Sequence, residues 1–133
     1  MGKFIINGGN RLVGSVKIQG SKNSVLPIYA ACILCEGTVA LSNVPNLTDV
    51  EVMGNILECL GAKVTRLGEY VHIDSENINR SEIIDPMASE LRSSIFLLGS
   101  MLGRMKKATV GFHGGCDIGV RANDINIKAL KEM

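Results

Sequence analysis

Two short segments carry residues whose types and spacing could do chemistry. Gly115-Cys116-Asp117-Ile118-Gly119-Val120-Arg121 sets a thiol among glycines, with a guanidinium five positions on. A thiol reacts as its thiolate and needs an exposed, electropositive setting, which a glycine-flanked loop beside an arginine would supply. Gly20-Ser21-Lys22-Asn23-Ser24 lies between a strand-like stretch and a helix-like one. A strand-to-helix turn presents free N–H groups and the positive end of the helix dipole, a setting for a phosphate or carboxylate. Lys22 in the first helical turn opposes that dipole, so a lysine there is more notable than one on a helix flank. The spacing of a Walker A loop is absent. The plainer alternatives are a small turn residue at Cys116 with a solvated Arg121, and a solvated Lys22 beside an ordinary helix cap.

The remaining candidates point to packing. Cys32 and Cys35 form a Cys-x-x-Cys pair within an apolar stretch, and no second pair or His pair completes a zinc set. Cys59 precedes Leu60 in an amphipathic run and reads as a packing residue. His72 falls in a strand and His113 at a strand end, neither with ligand or triad spacing. Arg92 reads as a solvated charge. Neither a metal nor a cofactor is called for.

Composition narrows the classes. The 133 residues suit one domain, and 14 Lys plus Arg against 13 Asp plus Glu give a net charge of +1. That balance argues against a nucleic-acid surface. With 46% hydrophobic and 20% charged residues, the chain is globular in character. No apolar run approaches the roughly 20 residues that span a bilayer, and the start has no signal-peptide pattern. A reducing cytoplasm is therefore expected, with free cysteines.

The elements that must position these segments read as follows. Strands are expected at 3–7 and 14–19. A helix starts after Ser21 and carries Leu26, Tyr29, Ala30, Ile33 and Leu34 to a stop at Gly37. A strand runs from Thr38 to Val44. Thr48-Asp49-Val50-Glu51 forms a capping box before the stripe Met53, Ile56, Leu57 and Leu60, with Gly61 at the C′ position. Ala62 to Leu67 and Tyr70 to Asp74 make a hairpin around Gly68-Glu69. Asp85-Pro86 opens a helix carrying Leu91, Ile95, Leu98 and Leu102. Ala108 to Phe112 is a strand, and a last helix starts near Asn123 or Asp124.

The order repeats. At an offset of 71, Thr38-Val39-Ala40-Leu41 matches Thr109-Val110-Gly111-Phe112, Leu26 matches Leu97 and Ala30 matches Met101. Beyond the strand the offset becomes 73, pairing Glu51 with Asp124, Val52 with Ile125, Leu57 with Leu130 and Leu60 with Met133. The second copy thus gains two residues in the loop around Cys116 and stops inside its second helix, with no C-cap. The expectation is a cut through a larger protein, with the apolar stripe of the last helix partly uncovered and self-association or marginal stability as the result.

Ser21-Lys22-Asn23, the Leu41-Ser42-Asn43-Val44-Pro45 turn, Leu91-Arg92-Ser93-Ser94 and the Gly114–Arg121 loop together resemble the N-terminal portion of the UDP-N-acetylglucosamine 1-carboxyvinyltransferases, the enolpyruvyl transferases that open peptidoglycan synthesis. The resemblance implies an α/β fold of repeated helix–strand–helix–hairpin units, the inside-out α/β barrel, incomplete here. Residues 1–20 would be initial strands of one lobe, and 21–133 about one and a half units of the other.

It also implies a reaction, in which the enolpyruvyl group of phosphoenolpyruvate passes to the 3′-hydroxyl of UDP-N-acetylglucosamine with release of phosphate. Cys116 would be the general acid and the thiol alkylated by fosfomycin. Lys22, Asn23, Arg121 and Cys116 would bind phosphoenolpyruvate. Arg92 and Arg121-Ala122-Asn123-Asp124-Ile125 would contact the UDP-sugar, with Ala122 standing where a Pro is common. The base and a further phosphate-binding Arg would lie elsewhere.

Two competitors remain. A 5-enolpyruvylshikimate-3-phosphate synthase would carry Lys-Ser in place of Lys22-Asn23 and would lack the loop thiol. A non-catalytic truncated paralogue would bind a nucleotide sugar or a partner lobe.

Overall fold

The computed structural model describes residues 3–83, 95–110 and 124–132. Within these residues, four helices and five strands follow in the order α1 (Lys22–Cys32), β1 (Thr38–Leu41), α2 (Thr48–Leu60), β2 (Lys63–Leu67), β3 (Tyr70–Asp74), β4 (Glu82–Ile83), α3 (Ile95–Met105), β5 (Thr109–Val110) and α4 (Asp124–Glu132). The alternation is the helix–strand–helix–hairpin order expected. The helix start at Asp85-Pro86, the strand end at Phe112 and the Gly114–Arg121 loop lie outside the described residues.

Three strands form one antiparallel sheet in the order β1-β3-β2. Val39 faces Ile73 across β1 and β3, and Val64 faces Ile73 across β2 and β3. The central strand alternates, with Val71 and Ile73 buried and Tyr70 exposed, the pattern of a sheet with one covered face. α2 packs on β2, α1 packs on α2, and α3 packs on α1. Leu26, Tyr29 and Ile33 of the first segment, Met53, Ile56, Leu57 and Leu60 of α2, and Leu97 and Met101 of α3 are all within 2% exposure and form a single core. In α1 and α2 these are the stripe residues read from the sequence, but in α3 the expected Ile95, Leu98 and Leu102 are only partly buried and the covered face falls on Leu97 and Met101, while Leu91 lies outside the described residues.

The turns are chemically specified. Gly68 takes φ +64 at the first central position of the β2–β3 connection, where a two-residue hairpin favours glycine. Gly61 takes φ +108, while Ala62 N–H donates to Leu57 O and Gly61 N–H to Glu58 O. This is the paired Schellman arrangement that the sequence places at the end of α2.

Four expectations are corrected. No strand forms within 3–20; Phe4, Val16 and Ile18 are exposed, and no described strand lies alongside to take up their backbone groups. An alternating pattern is only an offer of pairing, and it needs a neighbour to be realised. The first helix stops at Cys32 rather than near Gly37, because Leu34 and Cys35 N–H turn back to Ala31 O and Cys32 O and tighten the chain. Leu34 is therefore exposed. The first strand stops at Leu41, ahead of Asn43 at φ +56, which no strand accommodates. The capping box does not form: the N-cap of α2 is Leu47, whose carbonyl takes the N–H groups of Val50 and Glu51, so Thr48 is already helical.

One element was not foreseen. β4 has two residues and pairs in parallel with β5, Glu82 opposite Thr109 and Ile83 opposite Val110. Two residues carry no readable alternation.

Candidate functional site

The Gly20–Asn23 segment meets the start of α2. Ser21 is the N-cap of α1, in extended conformation, and its carbonyl accepts the N–H groups of Ser24 and Val25. Lys22 and Asn23 open the helix and are exposed. Gly20 lies directly on the Asn43 carbonyl, and a Cβ at position 20 would collide with that oxygen and crowd the Pro45 ring. Close backbone approach of this kind requires glycine.

The turn beneath is clamped. One Arg66 guanidinium donates to Val44 O at 3.1 Å and to Gly68 O and Pro45 O at 3.2 Å. The Arg66 charge also acts on Tyr29, whose phenol is pushed up by burial and drawn back by that charge. The turn before α2 and the β2–β3 hairpin are thus tied through one side chain. Five N–H donors on a planar cation suit such multiple carbonyl contacts.

From this platform the Lys22 Nζ reaches an Asp49 carboxylate oxygen at 2.6 Å. The two side chains are 46% and 39% exposed, so the pair is open to solvent and contributes about 0–1 kcal/mol to stability. The helix ends act on it unequally. Lys22 in the first turn of α1 is disfavoured by the dipole, and Asp49 in the first turn of α2 is favoured, each by roughly 0.3–1 kcal/mol. The result is a solvent-facing cation beside two helix N-termini, suited to receive an anion.

Of the residues singled out in the sequence, Lys22 and Asn23 share this turn. Asp124 and Ile125 begin α4, where Ile125 is 77% exposed and Leu130 also faces solvent. Arg92, Cys116, Arg121, Ala122 and Asn123 lie outside the described residues. Asp49 and Arg66 were not foreseen as part of the site. Asp49 stood out only as a capping-box member, and a strand arginine reaching back over twenty residues leaves no local signal.

Two of the other cysteines separate clearly. Cys32 is buried, and burial pushes its thiol up to about 11, so it stays protonated and inert at neutral pH. Cys59, read as a packing residue, is instead exposed on α2. Its position falls beside the Met53, Ile56, Leu57 and Leu60 stripe rather than on it, since adjacent helical residues point about 100° apart. Among the described residues no group of three His, Cys, Asp or Glu is placed to hold a metal ion. None of their helices is long and apolar enough to cross a membrane.

Comparison with known proteins follows the same lines. Residues 6–133 match the model of the EPSP synthase (3-phosphoshikimate 1-carboxyvinyltransferase) family. The chain is 50% identical over its whole length to UDP-N-acetylglucosamine 1-carboxyvinyltransferase 2 of Caldanaerobacter subterraneus subsp. tengcongensis, covering 32% of that protein. It is 47% identical, again over its whole length, to UDP-N-acetylglucosamine 1-carboxyvinyltransferase of Wolbachia pipientis wMel, covering 33%. The chain therefore spans about a third of the length of these curated relatives. Among solved structures it is similar to the enolpyruvyl transferase NikO from Streptomyces tendae, at 29% identity and a TM-score of 0.64 over 73% of this chain and 23% of that one. A helix–strand–helix–hairpin fold whose sequence matches that family model from residue 6 to its end belongs to the EPSP synthase family of carboxyvinyltransferases.

Proposed function

We propose that the chain is the N-terminal part of a UDP-N-acetylglucosamine 1-carboxyvinyltransferase, which joins the enolpyruvyl group of phosphoenolpyruvate to the 3′-hydroxyl of UDP-N-acetylglucosamine. The observation that supports it is identity of 41–50% along the whole chain to proteins of that name. The chemistry agrees with the residues. Phosphoenolpyruvate is a small polyanion, so its site needs cations to offset its charge and that of the departing phosphate. Lys22, open to solvent at a helix N-terminus, is one such cation, with Asn23 beside it and Arg121 as another.

In the first step the sugar hydroxyl gives its proton to the base and its oxygen bonds to C2 of phosphoenolpyruvate, while the C2–C3 double bond opens and Cys116 gives a proton to the methylene carbon. This produces a tetrahedral ketal with a methyl group. In the second step that methyl group returns a proton to the Cys116 thiolate, the C2–C3 double bond re-forms, the bond from C2 to the phosphate oxygen breaks, and phosphate leaves with the proton held by the base. The base belongs to another part of the enzyme. Arg92 and the segment 121–125 contact the UDP-sugar in this reading. The reaction uses soluble substrates, in keeping with a cytoplasmic enzyme.

Thiol labelling of the intact gene product tests the assignment. Fosfomycin is expected to add one equivalent at Cys116 and none at Cys32, Cys35 or Cys59, and Cys116→Ala is expected to abolish it. Labelling spread over the other cysteines would remove Cys116 from its role. A natural gene product that ends at Met133 and turns over no substrate would favour the non-catalytic paralogue.

A further inference from the structure

We propose that Asp49 is a positioning residue for Lys22: its carboxylate holds the ammonium over the joined N-termini of α1 and α2, in the orientation that receives the anionic substrate. The inference rests on the reading of Lys22 as a phosphoenolpyruvate ligand. The 2.6 Å ion pair is its first support. The second is the rigidity of the platform on both sides. Gly20 sits against Asn43 O, and Arg66 holds Val44 and Pro45, so the backbones that carry Lys22 and Asp49 are fixed to one another. Between them lie the side chains, of which the lysine is the longer, and the helix dipole of α1 favours its turning away into solvent.

An ammonium has three N–H donors. One directed at Asp49 leaves two for a substrate oxygen, in a direction set before the substrate arrives. Preorganisation of this kind lowers the cost of ordering a flexible cation at the moment of binding. A half-exposed pair contributes little to folding, so a role for Asp49 in holding the fold is not what the geometry favours.

The test is a double-mutant cycle in the intact transferase that carries this chain, read as KM for phosphoenolpyruvate, kcat and thermal midpoint. Asp49→Asn is expected to raise KM for phosphoenolpyruvate by about tenfold, roughly the worth of one oriented charge-assisted contact, while the thermal midpoint stays within about 2 °C. Asp49→Glu is expected to recover a substantial part of the loss. In a Lys22→Ala background, Asp49→Asn is expected to change KM by less than about twofold, because the group it positions is gone. Equal effects of Asp49→Asn with and without Lys22, or an unchanged KM, would overturn the inference. A large fall in the thermal midpoint would also overturn it, by making Asp49 a structural residue. Failure of the underlying reading looks different: the unsubstituted protein would then turn over no phosphoenolpyruvate at all.

Discussion

The two helix–strand units agree in their helices and differ at their strand edges. Leu26 and Leu97 are matched positions in α1 and α3, and both are buried in the same core, as are Ala30 and Met101. β1 pairs antiparallel with β3 of its own unit, whereas β5 pairs in parallel with β4, which precedes its helix. A helix face is specified by side chains at 3.6-residue spacing, so related sequences rebuild it. A strand edge is specified by backbone N–H and C=O groups that every residue offers, so its partner depends on which segment lies alongside. Among the described residues the buried helix face is therefore what the two units share, and each strand pairs with the segment that lies alongside it.

The largest expected effect tests the shared face. Leu26→Ala and Leu97→Ala each leave a cavity in one core, and each is expected to cost about 3 kcal/mol. Urea unfolding of the chain, followed by far-ultraviolet circular dichroism, reads both. Costs of similar size would sustain the equivalence of α1 and α3. A Leu97→Ala cost below about 1 kcal/mol would break it.

A second difference between the units is chemical. Cys32 of α1 corresponds to Gly103 of α3, so at this matched position α1 buries a thiol where α3 has none. Burial raises that thiol from 9.0 to about 11. The folded form then holds a proton that the unfolded form releases, so this contribution to stability is whole below pH 9. It is lost as the pH rises from there through about 11. The loss amounts to about 2 kcal/mol by the top of that window. Tyr29, also raised by burial, acts in the same sense at still higher pH. Urea midpoints of the parent and Cys32→Ala, compared between pH 8 and 11, isolate the thiol. The parent is expected to fall more steeply, and parallel curves would remove Cys32 from the account.

What was legible in the sequence follows the same division. The core stripes of α1 and α2, the Gly61 terminus and the Gly68 hairpin are local patterns, and each could be read from a window of a few residues. The strands at 3–7 and 14–19 misled, because alternation reports a willingness to pair and not the presence of a partner. The two-residue β4 was too short to show a period. Within the site, Lys22 and Asn23 were legible as a cation at a strand-to-helix turn. Asp49 was visible only as a helix-start acid, since its partnership with Lys22 depends on two helices meeting across the Gly20–Asn43 contact. Arg66 was invisible for the same reason: it acts through carbonyls that no side-chain pattern encodes.

The junction between the units gives a smaller effect. Arg104 of α3 donates to Ile33 O and Cys35 O at 2.9 Å and to Glu76 O at 3.3 Å, so one guanidinium satisfies the end of α1 and the loop after β3. These carbonyls are the groups a helix C-terminus leaves open. Arg104→Ala is expected to cost about 1–2 kcal/mol, as solvent replaces part of what is lost. Arg104→Lys is expected to recover less than half, since an ammonium cannot span three carbonyls in different directions. Hydrogen exchange of amides between Cys32 and Gly37 should rise in both variants if the tie orders that turn. Unchanged exchange would reduce Arg104 to a surface charge and leave the two units joined by apolar packing alone.

The smallest effect compares the helices themselves, through a glycine inside each. Gly54 lies in α2, and a Cβ there would meet Val64 Cγ1 at 3.7 Å, an ordinary contact; at Gly99 of α3 nothing lies within 4 Å. Alanine restricts the unfolded chain and favours the helix, so Gly54→Ala and Gly99→Ala are each expected to stabilise by about 0.5–1 kcal/mol. Gly54→Ala is expected to gain slightly more, because its methyl group touches β2 while that of Gly99→Ala faces water. Differences of this size require urea midpoints from matched preparations of the two variants and the parent. A loss at Gly54 would mean that α2 sits closer to β2 than 3.7 Å allows, and that the first unit is packed more tightly than the second. Equal gains would mean that the contact with β2 adds nothing measurable to the helix preference at Gly54.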